Sequence, residues 1–207
     1  MNRFAPLALG SLMVGALALS ACQPDGPVHS APQPDASVPP PHADPDKPVL
    51  QAYPLAAELV RLEWSNAENR AACAPVTFTD AGGIAFNARR AEFSGGWAVA
   101  FDLPGTRSAF GIAGTGLLPD DRDDPAAQER RLKAQWPHFR RLPDLPQPAF
   151  AGYGLEGARA YPADAPDGVG SQSLAYLRIG GQQCLYNVWS KLGRAHLETL
   201  LDSLRML

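Results

Sequence analysis

Large and small side chains alternate over residues 96–103, and this is the clearest hydrophobic pattern in the chain. Successive side chains of a β-strand point to opposite faces, so a period of two predicts a strand with one buried face. The large residues on that face are Trp97, Val99, Phe101 and Leu103. Pro104 and Gly105 then indicate a turn, and residues 108–113 are predicted to return as a neighbouring strand.

Leucines at helical spacing predict a helix near each end of residues 51–207. The first helix is predicted to end near Asn69, and its apolar positions are Leu55, Leu59 and Leu62. The last is predicted to run from about Leu192 to the end of the chain, with a stripe of Leu197, Leu200, Leu201 and Leu204. A middle helix is predicted from Asp124, because an Asp N-cap followed by proline favours a helix start, and it should stop at about Trp136.

The remaining apolar runs are short and bounded by glycine or proline, which is typical of strands. They cover residues 73–79, 149–153, 158–161, 173–179 and 183–189, the last two forming a hairpin around Gly180 and Gly181. Residues 84–93 fit either a helix or a strand. The pattern predicts one α+β domain over residues 51–207, in which an N-terminal, a middle and a C-terminal helix pack against a mostly antiparallel sheet.

The chain begins with an apolar stretch from Phe4 to Leu19, and Arg3 is the only charged residue before Cys22. A positive start, a short apolar stretch and small residues at its end indicate a secretory signal peptide over residues 1–21. An uncut transmembrane anchor is the alternative, but a spanning helix needs about 20 apolar residues and nothing apolar continues past Cys22.

Leu19, Ser20, Ala21 and Cys22 resemble the lipobox of bacterial lipoproteins. The resemblance, which covers only the first 23 residues, implies a diacylglycerol on the Cys22 sulfur, removal of the leader and acylation of the new amine. Two or more acyl chains anchor a protein stably, whereas one binds only marginally. In that family an Asp after the cysteine tends to retain the protein in the inner membrane. Gln23 therefore implies, for a Gram-negative host, the periplasmic face of the outer membrane.

Residues 22–50 are predicted to be the lipidated cysteine and a proline-rich tether without a packed core. Nine of the 28 residues from Gln23 to Leu50 are proline, and such composition lacks the apolar groups that offset ordering entropy. An extended tether of this length reaches about 85 Å at roughly 3.1 Å per residue. His29 and His42 lie there, but ligands on a flexible chain are not pre-organised, so no metal site is predicted.

Two cysteines, Cys73 and Cys184, remain once Cys22 carries the lipid. In an oxidising periplasm an even pair predicts a disulfide, and two buried free thiols are the alternative. Removal of the leader leaves 17 basic side chains, since Arg3 is one of the 18 in the chain, against 21 acidic ones. Nucleic-acid binding is therefore not expected, because it needs a strongly basic face.

Basic residues nevertheless cluster after Asp124, with Trp136 and Phe139 among them. The candidate anion-binding residues are Arg130, Arg131, Lys133, Arg140 and Arg141. Arginine is well suited to bidentate contacts with phosphate or carboxylate. The alternative is a solvated helix face whose cations lie near the negative end of the helix dipole.

The sequence contains no complete catalytic motif. The glycines at 111, 114 and 116 do not fit either phosphate-binding spacing, and no serine lies in a G-x-S-x-G elbow. The carboxylates at 120, 121, 123 and 124 are explained by the helix start that follows them. His138 is predicted in a loop, and His196 is predicted on the last helix beside its leucine stripe, as a surface or boundary residue.

These observations favour a lipoprotein whose domain is a non-catalytic binding, envelope-assembly or envelope-maintenance module without a cofactor. Its partner would be an envelope protein, lipopolysaccharide or peptidoglycan. The alternative is a periplasmic hydrolase whose site assembles from scattered residues near His138. A deep pocket that holds His138 with a carboxylate or serine would favour the enzyme, and a shallow surface of aromatic and arginine residues would favour the binding module.

Overall fold

The computed structural model describes residues 53–93, 95–116 and 124–207. The predictions for the leader, for Cys22, for the tether and for the carboxylates at 120, 121 and 123 lie outside these residues. Within the described ranges, no helix is long and apolar enough to span a bilayer.

The described residues form three helices and nine strands. In chain order they are α1 Ala57–Asn66, β1 Val76–Phe78, β2 Asn87–Ala91, β3 Trp97–Leu103, β4 Thr106–Gly114, α2 Pro125–Gln135, β5 His138–Arg141, β6 Phe150–Leu155, β7 Ser173–Arg178, β8 Tyr186–Ser190, α3 Arg194–Asp202 and β9 Leu204–Met206. Seven strands form one antiparallel sheet in the order β2-β3-β4-β8-β7-β6-β5, and β1 pairs with β9 in a separate two-stranded ribbon. The predicted α+β class with a mostly antiparallel sheet is confirmed.

The main core lies on one face of the seven-stranded sheet, here called the front face. The large side chains predicted for β3 point to it, and Trp97, Val99 and Phe101 are buried there, whereas Leu103 is partly exposed. Phe101 stacks on its β4 partner Phe110 with ring centroids 4.7 Å apart. The helices α1 and α3 and the β1–β9 ribbon cover this face through Val60, Leu197, Phe78 and their neighbours.

The opposite face, the back face, carries α2 and a smaller core of Leu132, Trp136 and Phe150. Gly152 of β6 makes this approach possible, because a Cβ atom there would lie 2.7 Å from the Trp136 ring. The helix therefore rests on β5 and β6, near the edge of the sheet.

Three predictions of local structure were wrong in detail. The last helix ends at Asp202, and Leu204 lies in β9, where its side chain still enters the core. No strand forms over residues 158–161, since Gly157 and Ala158 both have positive φ and close a tight turn with a single bridge between Leu155 and Arg159. His138 begins strand β5 instead of lying in a loop.

The other predictions differ mainly at element ends. The first helix stops at Asn66, three residues early, and the first strand is shortened to residues 76–78. The ambiguous residues 84–93 contain β2, an edge strand of the large sheet. Element ends depend on capping and pairing partners that local pattern does not specify.

The predicted disulfide between Cys73 and Cys184 is present. Both residues are fully buried, and their Cα atoms are 4.9 Å apart. The bridge joins the segment after α1 to the segment before β8. Thr115 lies near this bridge. The Thr115 hydroxyl donates to the Leu185 carbonyl at 2.6 Å, and the Thr115 carbonyl accepts from Asn69 Nδ2 at 2.9 Å.

Candidate functional site

The five candidate anion-binding residues lie on two different faces of the molecule. Arg141 pairs with Phe150 in the β5–β6 register and so belongs to the back face with α2, whereas Arg140 pairs with Ala151 of the front core. Arg140 donates to the Glu198 carbonyl at 3.1 Å and lies 3.2 Å from Asp202 Oδ1. It therefore fastens α3 to the edge strand.

Arg131 and Lys133, two positions apart on α2, project from different sides of the helix. Together with Arg130 and with Arg141 on the back face of β5 they are the other four candidates, and we call these four the α2 surface. Glu129 organises two of them, because its Oε1 accepts from Lys133 Nζ at 2.6 Å and from Arg141 Nη2 at 2.9 Å. The hydrogen bond from Lys133 is the main cause that lowers the pKa of Glu129, and the charge of Arg141 adds to it. Lys133 also lies 4.6 Å from the ring centroid of Phe139.

The α2 surface stands out against the charge of the whole chain. Its four basic side chains and Glu129 sum to a net charge of +3, whereas the chain as a whole carries −3. The remaining residues therefore sum to −6. Arg130 and Arg131 are exposed on α2, and Arg141 is exposed on β5.

A second group of polar and aromatic side chains lies on the front face, beside β5. We call it the His138 cluster, and its members are His138, Tyr153, Tyr161, Arg194 and Glu198. The His138 ring stacks on Tyr153 with centroids 5.2 Å apart and lies 5.6 Å from Tyr161. The Tyr153 hydroxyl donates to Glu198 Oε1 at 2.8 Å, and the Arg194 guanidinium lies 5.7 Å from the centre of the Tyr161 ring.

The electrostatics of the cluster keep His138 neutral at neutral pH. Burial lowers the pKa of His138 and the positive charge of Arg194 lowers it further, while Glu198 opposes both. Burial, together with the hydrogen bond to Glu198, raises the pKa of Tyr153 to about 12. The cluster therefore presents a neutral imidazole, an aromatic wall and one arginine.

The surroundings of His138 contain no serine–histidine hydrogen bond within the described residues. The ring of His138 contacts Tyr153 and Tyr161 there. A Ser–His contact exists elsewhere, where Ser190 Oγ lies 2.9 Å from His196 Nδ1. Ser190 is fully buried and also accepts a hydrogen bond from the Leu192 amide, so this pair fixes the start of α3.

The remaining motifs have structural explanations. Gly111 and Gly114 lie within β4, where a Cβ atom would collide with the rings of Trp189 and Trp97. Asp124 is the N-cap residue of α2. The described part of the chain contains no group of three or more His, Cys, Asp and Glu residues placed to hold a metal ion.

A cavity of about 250 Å³ lies beside the far end of α3 and does not include His138. Its lining consists of Leu142, Pro143, Asp144, Leu145, Leu201, Asp202 and Leu204. All four of these leucines belong to the core, and the cavity lies between the loop after β5 and the end of α3.

Sequence reasoning identified His138 and the basic residues but missed Tyr153, Tyr161, Arg194 and Glu198. The four-residue spacing of Arg194 and Glu198 on a predicted helix was the one available signal, since it places both side chains on one face. The two tyrosines come from distant segments, which only the β6–β7 region of the sheet brings near α3.

Comparisons of the chain with known protein families, with characterised proteins and with solved structures found no match. Its function is therefore inferred from the residues and their geometry.

Proposed function

We propose that this chain is a lipid-anchored protein of the periplasmic face of the outer membrane, whose folded domain binds an anionic component of the envelope without catalysis of its own. The observation that carries this proposal is the α2 surface, whose four basic side chains and Glu129 sum to +3 in a chain of net charge −3. Its partner is lipopolysaccharide, peptidoglycan or an acidic envelope protein.

Two features support an envelope location. Leu19 to Cys22 resemble a lipobox after an apolar leader. The Cys73–Cys184 disulfide is the kind of bond that persists in an oxidising compartment and is rare in the cytosol. Cys22 is then the one cysteine left for a lipid.

Replacement of Cys22 by Ser should release the protein from the membrane fraction, because the acceptor of the diacylglycerol is lost. The native chain should incorporate an alkyne-tagged fatty acid and sediment with outer membranes, and the Cys22→Ser variant should do neither. The matched control is Ser20→Ala, which keeps a small residue before the cysteine and should be labelled normally. Equal labelling of Cys22→Ser, or a native chain that stays in the cytosol, would contradict the anchor.

Two properties suit the α2 surface to anionic groups. Arginine presents a planar fork of donors that matches phosphate and carboxylate oxygens. Glu129 holds Lys133 and Arg141 in place, so part of the entropy cost of ordering long side chains is met before a ligand arrives. A tether of the predicted length would let the domain reach several layers of the envelope.

The triple variant Arg130→Ser, Arg131→Ser and Arg141→Ser should weaken binding to the envelope component. Each cation near an anionic lipid surface contributes about 1 kcal/mol, so the loss on lipopolysaccharide vesicles should be about 100-fold. Vesicle and peptidoglycan sedimentation of the purified chain at several salt concentrations measures this, with the salt dependence also expected to fall.

The matched control removes three exposed arginines elsewhere, at 61, 107 and 159, and changes the net charge by the same amount. If both triple variants lose binding equally, net charge and not the α2 surface is responsible. If neither variant loses binding to lipopolysaccharide or to peptidoglycan, the α2 surface is not a binding site.

A further inference from the structure

The His138 cluster contains an arginine whose donors lack an acceptor. Among the described residues, the Arg194 guanidinium donates no hydrogen bond, and its nearest carboxylate oxygen, Glu198 Oε1, is 4.0 Å from its Nε. That oxygen already accepts from the Tyr153 hydroxyl at 2.8 Å. Arg194 instead rests against the ring of Tyr161, and about a third of its side chain is exposed.

His138 is in the same situation. Both ring nitrogens lack a hydrogen-bond partner within the part of the chain that the structure describes, although the ring itself is held between Tyr153 and Tyr161. The Tyr161 hydroxyl donates its hydrogen to Ser173 Oγ at 2.9 Å, so this hydrogen is not available to a ligand. The cluster thus offers a guanidinium and an imidazole that are positioned by aromatic rings and still have free donors.

From this geometry we propose that Arg194 and His138 form a binding site for a carboxylate group, with Tyr161 as the apolar wall beside it. A guanidinium matches the two oxygens of a carboxylate, and a neutral imidazole supplies one further donor. The site lies on the front face and is independent of the α2 surface and of the function proposed for it.

The charge of the site selects a carboxylate over a phosphate. Arg194 and Glu198 sum to zero and His138 is neutral, so a ligand of charge −1 adds one favourable ion pair with Arg194. A dianionic phosphate would lose more hydration than a monoanion on entering this partly buried site, and Arg194 is the one cation of the cluster that offsets that cost. Binding should also favour the imidazolium form of His138, since an anion close to a histidine raises its pKa.

Acetate provides the simplest probe of this site. In the full chain, purified in detergent and labelled at its four histidines, acetate should move the ring signals of His138 and raise its pKa, while those of His196 should not move. The signal of His138 is assigned by its loss in His138→Asn. Inorganic phosphate should bind more weakly than acetate at the same ionic strength.

Variants distinguish a binding role of Arg194 from a structural role. Arg194→Gln should weaken acetate binding by about tenfold, since a charge-assisted hydrogen-bond pair is lost. Glu198→Gln should strengthen it several-fold, because a competing carboxylate is removed while Tyr153 keeps an acceptor. A purely structural cluster would give no such gain. A His138 signal insensitive to acetate, equal binding by Arg194→Gln, or tighter binding of phosphate would each overturn the proposal.

Discussion

Removal of the Cys73–Cys184 bridge should lower the free energy of unfolding by about 4 to 5 kcal/mol in the chain-entropy account of disulfides. The two cysteines are 111 residues apart, so the bond closes a loop that spans most of the domain. Cross-linking so long a loop removes much of the conformational freedom of the unfolded chain. We expect the double variant Cys73→Ala and Cys184→Ala to unfold at a markedly lower urea concentration than the oxidised protein.

The control for this experiment is the native protein with its disulfide reduced. In its unfolded state the reduced protein lacks the cross-link, as the double variant does. It keeps both sulfur atoms in the core, where the two cysteines are fully buried. Reduced protein and double variant should unfold near the same midpoint, with a steeper urea dependence than the oxidised protein because more surface is exposed on unfolding. Coincident transitions for oxidised and reduced protein would show that the bridge stabilises little.

The elements that sequence predicted best are those that local periodicity specifies. The alternation in β3 is strong because one of its faces is packed against α1 and the β1–β9 ribbon, and the stripe of Leu197, Leu200 and Leu201 is strong because α3 packs on the same core. Each of these patterns lies within one continuous segment of the sequence, so it can be recognised without knowledge of the rest of the chain. The prediction of an α+β domain followed from these segments.

Two strands that depend on pairing, β5 and β9, were missed. The end of α3 illustrates this, because Leu204 continues the helical spacing of leucines, yet the Ser203 carbonyl accepts from the Thr79 amide at 2.9 Å and the chain turns into β9. The pairing partner is more than a hundred residues away in sequence. No pattern within the last helix could have shown that β1 lies there.

The sequence indicated the basic candidate residues but not how they are arranged. Arg140 and Arg141 look like one basic pair in sequence, but neighbouring residues of a strand point to opposite faces. Both arginines lie in β5, so their side chains point to opposite faces. Arg141 forms an ion pair with Glu129, and Arg140 forms one with Asp202. The separation of the two arginines could not be predicted, because it requires β5, and β5 depends on its pairing with β6.

Helix α3 connects the core to the His138 cluster. Its buried side chains are the leucines at 197, 200 and 201, while Arg194 and Glu198 reach the cluster and Asp202 pairs with Arg140. The geometry of the proposed carboxylate site therefore depends on how firmly the leucines hold the helix on the sheet. A loss of packing beneath α3 should weaken both stability and the cluster.

Truncation of Leu201 to Ala should destabilise the domain by about 2 to 5 kcal/mol, as deletion of buried leucine side chains generally does. Leu201 is 2% exposed. It also borders the cavity of about 250 Å³, whereas Leu200, which is 0% exposed, does not line it. Loop residues beside the cavity can shift to fill part of the new space, so Leu200→Ala should be the costlier of the two substitutions.

Urea unfolding of both variants measures this difference, with Thr199→Ala as the control on the same helix. Among the described residues, the Thr199 hydroxyl bonds only the Ala195 carbonyl one turn earlier, so its loss should change stability by no more than about 0.5 kcal/mol. If Leu201→Ala and Thr199→Ala unfold together with the native chain, the leucine stripe is not part of the core, and α3 could not hold Arg194 and Glu198 beside β5. If both leucine variants are destabilised, the signals of His138 should broaden or shift along with them, because the same helix carries the cluster.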